Sequence, residues 1–302
     1  MEENTKSGLK ESHARHMDPF IKSEEIFKSE EEATQFISEF MRNGQITTDV
    51  ITEFSYNDNP PYVTKIGGVT STNLSFPRPP FLALVAACKE TQSYEFITIY
   101  PYLEGLPAKV KVLKVVEWSE KLEATVKARF QNGSNTFDFW FFAADYFANK
   151  DQYKIGNEIE ISLAASGNVE AAPKGFEYRG QQAVNFLKNM GREPIYDDNG
   201  NVEPVYIGMS NLVAFMPDDD QFPDMAAFQS PVSCIREWGE FMGNPVRTGI
   251  ITLDSDTELK VSIYFNGDCS PEKGEGIRGV IWLSGHLYDD TIQSKVTGNR
   301  LF

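Results

Sequence analysis

Two stretches of sequence decide the fold: KIGNEIEISL at residues 154–163 and GIRGVIWLSG at residues 276–285. Each contains a glycine, Gly156 or Gly276, and these two lie 120 positions apart. Each glycine is followed by a run in which β-branched and other apolar side chains dominate, a pattern that is typical of a buried β-strand. The recurrence of this segment predicts an internal repeat, in which each half of the chain ends on the same kind of strand.

The repeat extends upstream of these strands. Glu117-Trp118 recurs as Glu237-Trp238 at the same spacing. Between the anchors, each copy holds two strands joined by a polar turn, so that residues 137–142 in the first copy correspond to residues 259–265 in the second. Chance convergence of two β-rich segments is the alternative explanation, and duplication is the one that we prefer.

Each half resembles the small antiparallel barrels of the OB-fold class, because three strands are followed by a strand that begins near a glycine. The resemblance covers roughly 60 residues per half and implies a mainly β (α+β) fold with two related OB-like barrel domains in tandem. Such a barrel often has a helix between its third and fourth strands. Residues 143–150 would form this helix in the first copy, whereas the second has only the short stretch 266–273. SH3-like barrels and sandwiches are the alternatives.

The domain division follows from the repeat. Residues 1–28 are polar and aperiodic, which predicts a flexible tail. We expect a first helix-plus-barrel domain at residues 29–170 and a second at residues 171–302. The predicted helix of the first domain begins with a capping box at residues 29–32. The predicted helix of the second domain spans residues 181–190.

Strand patterns fill most of the remaining sequence. Residues 57–81 are rich in proline and glycine and predict an ordered loop or an extended linker. The predicted strands cover residues 81–87, 94–100, 109–112, 124–130, 137–142, 155–161, 205–216, 232–238, 248–253, 259–265 and 279–283.

Composition narrows the class of protein. The 302 residues include 28 Lys+Arg and 44 Asp+Glu, for a net charge of −16, and 41% are hydrophobic, which excludes a disordered chain. Cys88, Cys234 and Cys269 are too few and too widely spaced for a disulfide framework. No basic and apolar leader begins the sequence, and no apolar run reaches 18 residues. These features predict a cytoplasmic protein that does not enter membranes.

The charge is unevenly distributed along the chain. Residues 1–60 carry a net charge of −7, residues 61–170 a net charge of −1, and residues 171–302 a net charge of −8. The near-neutral part contains a basic pair of strands, with Lys109 and Lys111 on one strand and Lys127 and Arg129 on the next. OB-type barrels bind single-stranded nucleic acid with such side chains and with aromatic residues that stack on bases.

Two observations weigh against nucleic-acid binding at these strands. The nearby aromatic residues Phe137, Phe139 and Phe141 alternate along one strand, and they would fit a barrel core equally well. The net negative charge of the whole chain also disfavours binding to a polyanion. Single-stranded nucleic-acid binding is therefore an alternative rather than the leading hypothesis.

Catalytic and metal motifs are weak. His286 is the one histidine outside the predicted tail, and an ordinary exposed or half-buried histidine is the simpler interpretation. His13 and His16, in the predicted tail, lack the ligands that would complete a zinc site. The glycines of residues 274–279 precede a predicted strand rather than a helix, which favours a turn over a dinucleotide site. The acidic loop Asp218–Asp220 leaves open a metal-dependent hydrolase, with a solvated loop as the simpler alternative.

The leading hypothesis is a non-enzymatic binding or scaffold protein without a cofactor. It would act through protein–protein contacts of its two OB-like domains, and the acidic second half would steer a basic partner. Trp118 and Trp238 are predicted to pack at equivalent barrel ends, with carbohydrate stacking as the alternative.

Overall fold

The computed structural model describes residues 44–54, 62–71, 81–87 and 94–288, apart from residues 120, 219–220, 242–243 and 273. It also describes His13, His16, Glu31, Thr34 and Ser38. These parts of the chain contain fifteen β-strands and two helices, which confirms the prediction of a mainly β fold. Over the same residues, neither helix is long and apolar enough to cross a membrane.

The elements follow in chain order. The strands are β1 (Gly44–Phe54), β2 (Tyr62–Ser71), β3 (Phe81–Ala87), β4 (Tyr94–Pro101), β5 (Leu106–Glu117), β6 (Ala124–Asn132), β7 (Asn135–Ala143), β8 (Glu158–Ala171), β9 (Gly175–Tyr178), β10 (Val205–Gly208), β11 (Ala214–Pro217), β12 (Met225–Phe241), β13 (Asn244–Asp254), β14 (Leu259–Asn266) and β15 (Gly276–Leu287). The helices are α1 (Tyr146–Asn149) and α2 (Gln181–Asn189).

The first four strands form an antiparallel sheet in the order β1-β2-β3-β4. Strand β2 lies inside the stretch predicted as a loop or linker, so that prediction was wrong for residues 62–71. Pro60 and Pro61 immediately precede the strand in the sequence. Tyr62, Val63 and Thr64 are residue types that favour extended structure.

The other large sheet has nine strands, in the order β11-β12-β13-β14-β8-β15-β7-β6-β5, with further pairings of β12 with β15 and of β8 with β5. The pairings close two five-stranded cycles. The first cycle is β5-β6-β7-β15-β8, and the second is β12-β13-β14-β8-β15. Strands β8 and β15, the two strands that carry the sequence repeat, belong to both cycles.

Different parts of the two shared strands serve the two cycles. Residues 158–163 of β8 pair with β5, and residues 164–167 pair with β14. Strands β8 and β15 pair with each other over eleven residues, and Ala164 lies opposite Ser284, its counterpart at the 120-residue offset. The two strands that contain the repeated stretches therefore lie side by side at its centre.

A single hydrophobic cluster fills both cycles, with Val126, Phe141, Ile161, Phe265 and Ile281 among its members. It is continuous because the inward side chains of β8 and β15 contact both sets of strands. The division of the chain into two domains at residue 170 stays a prediction.

The short elements agree with several local predictions. Helix α1 lies within residues 143–150, and α2 begins at the predicted residue and is followed by Gly191 at φ +67°. Glu31, Thr34 and Ser38 are helical, as the capping box at residues 29–32 predicts. The rest of that predicted helix, like most of the predicted tail, lies outside the described residues.

A second hydrophobic cluster positions the site described below. It includes Leu82, Leu84 and Tyr100 from the four-stranded sheet, and Phe142 and Trp282 from the nine-stranded sheet. The two sheets therefore meet over an aromatic-rich layer on the outer side of the first cycle.

Candidate functional site

The four predicted basic residues lie on one outer surface, which we call the basic face. Lys109 and Lys111 are exposed on β5, between buried residues that point into the core. On β6, Arg129 lies opposite Lys111, and Lys127 lies opposite Lys114. The alternation of a half-buried antiparallel strand therefore brings all four predicted side chains together.

Acidic side chains flank the basic face. Arg129 donates two hydrogen bonds to Asp138 on β7, from Nε to Oδ1 at 2.6 Å and from Nη2 to Oδ2 at 2.9 Å. These bonds lower the pKa of Asp138 and raise that of Arg129. Lys109 and Lys111 lie opposite Glu160 and Glu158 of β8 in the strand register. The ion pair between Arg129 and Asp138 is exposed, and it adds little to stability.

One half-buried aromatic side chain on β7 shares the basic face. Trp140 lies opposite Lys127, and the Lys114 Nζ is 5.7 Å from the centre of the Trp140 ring. In contrast, Phe139 and Phe141 are buried in the core shared by the two cycles. The alternation along the strand had predicted this burial as the alternative to base stacking.

The two repeated tryptophans occupy different surroundings. Trp118 is 7% exposed within the second hydrophobic cluster, and its Nε1 donates to Thr125 Oγ1 at 3.2 Å. Trp238 is half-buried on β12 and meets Tyr264 edge to face, with ring centroids 5.9 Å apart. Carbohydrate stacking stays a hypothesis, and it concerns Trp238 more than the buried Trp118.

The weak catalytic and metal motifs gain no support from the geometry. Among the described residues, no group of three or more His, Cys, Asp and Glu side chains is arranged to hold a metal ion. Of the predicted acidic loop, only Asp218 is described. Residues 276–279 enter strand β15 directly, without the helix of a dinucleotide site. His286 stacks on Tyr102, and burial lowers its pKa to about 4.

A buried cluster that sequence reasoning missed surrounds the two N-terminal histidines. We call it the histidine pocket and define it by four aromatic walls and two carboxylates. The walls are Tyr100, Trp118, Phe142 and Trp282, and the carboxylates are Glu123 and Asp224. His16 is 1% exposed, and its ring stacks on Trp282 with centroids 3.8 Å apart and planes at 11°.

Hydrogen bonds link the two imidazole rings to each other and to Glu123. His13 Nε2 lies 2.5 Å from Glu123 Oε1, and His13 Nδ1 lies 2.8 Å from His16 Nδ1. An ionised carboxylate only accepts, so the His13 ring donates from Nε2 to Glu123. Of the two facing Nδ1 atoms, one donates the hydrogen bond and the other accepts it.

Asp224 lies on the other side of His16. Its Oδ2 is 3.6 Å from His16 Nε2, beyond hydrogen-bond distance, and accepts from Trp282 Nε1 at 2.8 Å. Burial raises the pKa of Asp224 to about 6, although the bond from Trp282 opposes this shift. Burial and the neighbouring His13 lower the pKa of His16 well below its usual range. The pocket thus favours a neutral imidazole against Trp282.

Apolar side chains are concentrated on the surface of one further region, the connecting segment, which we define as residues 172–217 between the two sets of strands. Seven of the nine large hydrophobic residues that are exposed in the described chain lie there. They are Phe176, Met190, Ile195, Tyr196, Tyr206, Leu212 and Met216. The sequence offered no signal for this, because residues 205–216 read as one ordinary strand.

The chain matches no protein-family model, no curated protein and no solved structure.

Proposed function

We propose that this chain is a non-enzymatic binding protein that engages a protein partner through the connecting segment. The observation that carries the proposal is the concentration of exposed apolar side chains in that segment. Contiguous apolar surface on a folded protein marks interaction sites, and tyrosine, phenylalanine and methionine are enriched in interfaces. Tyr196, Tyr206, Phe176 and Met216 are of these types, and each is about half exposed or more.

The connecting segment has little core of its own. Strands β9 and β10 form a two-stranded ribbon, and such ribbons are marginally stable alone. Tyr178 stacks on Phe186 of helix α2 with ring centroids 4.8 Å apart, and Ala183 is the one fully buried residue of that helix. A partner that packs on the ribbon and the helix would bury the apolar surface that the segment leaves in solvent.

Charge favours a basic partner. Asp197, Asp198 and Glu203 lie exposed beside Ile195 and Tyr196, around a turn whose backbone N–H groups bond to the Asp197 carboxylate. The second half of the chain carries a net charge of −8. Acidic side chains beside an apolar surface increase the rate of association with a positively charged surface.

The two five-stranded cycles support the interpretation of the scaffold as two OB-like units in tandem. Each cycle has three strands of its own and draws on β8 and β15 for the rest. The connecting segment joins the two sets, and the cycles would act as a rigid platform that presents it.

The test compares a double variant in the connecting segment with a single variant outside it. Both replace exposed apolar side chains by serine. Ile195→Ser with Tyr196→Ser alters the connecting segment, and Ile155→Ser alters an equally exposed residue outside it. We expect the immobilised wild-type chain and the Ile155→Ser variant to retain the same basic partner from a lysate. The double variant should lose that partner. Absence of both a partner and self-association, or equal retention by the double variant, would contradict the proposal.

Single-stranded nucleic-acid binding at the basic face is the second candidate. The observation that favours it is the row of Lys114, Lys127 and Trp140 across three neighbouring strands. Cations beside an aromatic ring are the arrangement with which OB-type surfaces hold a base and its phosphates. This candidate requires that the local surface prevail over the net negative charge of the chain.

Fluorescence anisotropy with a labelled oligonucleotide at low salt tests this candidate. We expect Trp140→Ala and Lys127→Glu to weaken binding, by about tenfold or more for loss of one stacked base. Lys188→Glu on α2 has the same charge change away from the face and should bind as the wild type does. No change in anisotropy at wild-type protein concentrations up to tens of micromolar would contradict nucleic-acid binding at the basic face.

A further inference from the structure

The histidine pocket is assembled from distant parts of the fold. Tyr100 lies near the end of β4, and Trp118 and Glu123 flank the turn between β5 and β6. Asp224 and Trp282 come from the second half of the chain. His13 and His16 reach the pocket from more than 80 residues away in sequence. The walls thus belong to the folded body, whereas the two imidazoles come from the N-terminal segment.

The walls have independent support from the fold. Tyr100 donates from its hydroxyl to the backbone oxygen of Ala144 at 2.8 Å, and Trp118 donates to Thr125. Asp224 is held by Trp282 Nε1 through its side chain and by the Leu283 N–H through its backbone oxygen. We therefore expect the pocket to keep its shape without the histidines.

The chemistry of the pocket fits an imidazole pair. Glu123 and Asp224 are 7% and 4% exposed, and a buried carboxylate is unfavourable unless a donor satisfies it. Glu123 receives its donor from His13 Nε2, and the flat ring of His16 covers the face of Trp282. Aromatic faces bind flat rings, and the Glu123 carboxylate selects a ring that carries an N–H group.

We propose that the histidine pocket is a peptide-binding site and that the His13-x-x-His16 segment is its internal ligand. The segment binds through the two imidazoles, one donating to Glu123 and the other stacked on Trp282. A peptide with the same pair of histidines can then take its place. The occupants are His13 and His16 of this chain, which fill the site against external ligands of the same chemistry.

A peptide-replacement experiment tests the proposal in the full-length chain. The chain carrying both His13→Ala and His16→Ala is titrated calorimetrically with a peptide of residues 8–20. We expect one peptide to bind per chain, and at least tenfold weaker binding when both peptide histidines are alanine. Introduction of Glu123→Gln into the double variant should also weaken binding at least tenfold, whereas the wild-type chain should bind no peptide.

The double variant must keep its fold, and a cooperative thermal transition checks this. If it unfolds, the wild-type sequence with a protease site inserted after Ser23 replaces it. After cleavage, the N-terminal fragment should stay with the body during gel filtration and exchange with labelled peptide. The proposal is overturned if the folded double variant binds neither peptide, if it binds both equally, or if the cleaved fragment dissociates at micromolar concentration.

Discussion

His16 lies against Trp282 with ring centroids 3.8 Å apart, so a residue near the N-terminus contributes to the core between the two sheets. Replacement by alanine would remove this stacking, leave a cavity beside Trp282, and remove the hydrogen-bond partner of His13 Nδ1. We expect His16→Ala to lower the free energy of unfolding by about 2–4 kcal/mol, as for other buried side chains that also hold a hydrogen bond. Urea unfolding measures the loss. Ser38→Ala, at an exposed helical residue, is the control and should change little.

Asp224 makes stability depend on pH in an unusual direction. Its pKa is raised from 3.8 to about 6 in the folded chain, so folding favours its protonated form. Its contribution is fully present below pH 3.8 and is lost as the pH rises through 6, by an amount on the order of 3 kcal/mol. His16 opposes it, because a lowered pKa contributes stability that is lost as the pH falls below 6.5.

Asp224→Asn separates these two contributions. The asparagine keeps an oxygen that can accept from Trp282 Nε1 but does not titrate. We expect the variant to gain stability relative to the wild type as the pH rises from 5 to 8, because the neutral amide avoids the cost of ionising a buried carboxyl group. Denaturant midpoints at both pH values measure this. A stability difference that does not change between pH 8 and pH 5 would contradict the raised pKa.

His286 makes the folded chain less stable as the pH falls, which is the ordinary direction for a buried histidine. Burial lowers its pKa from 6.5 to about 4 in the folded chain. Its neutral form contributes stability that is present above pH 6.5 and is lost as the pH falls through 4, on the order of 1–3 kcal/mol. His286→Phe keeps a ring on Tyr102 but cannot take up a proton. Between pH 7 and pH 4.5, the melting temperature of the variant should fall less than that of the wild type. An equal fall in both would count against this role.

Local patterns predicted much of the nine-stranded sheet. Strands β5, β6, β7, β13, β14 and β15 overlap their predicted spans, because each alternates or forms an apolar run between turn residues. Strand β8 was predicted at residues 155–161 but runs from Glu158 to Ala171, since Ala164, Ala165 and Gly167 lack a clear strand signal. Its pairing with β14 and β15 depends on contacts about 100 residues away, which no local pattern encodes.

The histidine pocket shows the limit of sequence reasoning most clearly. His13 and His16 lie in a polar, aperiodic stretch, and nothing local separates a buried histidine pair from a solvated one. Their burial follows from Trp118, Glu123 and Trp282, which three different regions of the sequence supply. The basic face was easier to predict, because alternation along β5 and β6 is local and the two strands are neighbours in sequence.

Two glycines permit the close approach of the shared strands, and they give the sharpest test of the fold. A Cβ on Gly167 would lie 2.2 Å from the Val280 backbone oxygen, and a Cβ on Gly279 would lie 2.3 Å from the Asn168 backbone oxygen. Backbone cannot move aside as a flexible side chain can, so alanine at either position must separate β8 from β15.

We expect Gly167→Ala to lower the free energy of unfolding by about 3 kcal/mol or more, in the range of the strongest single-residue effects. Gly208→Ala on β10 is the matched control, because its new Cβ would find the nearest atom, in Tyr206, 3.9 Å away. Urea unfolding of both variants makes the comparison. Because β8 and β15 belong to both cycles, Gly167→Ala should reduce hydrogen-exchange protection on β5 and on β13 alike. Loss of protection in one cycle alone would contradict the shared pair as the element that joins them.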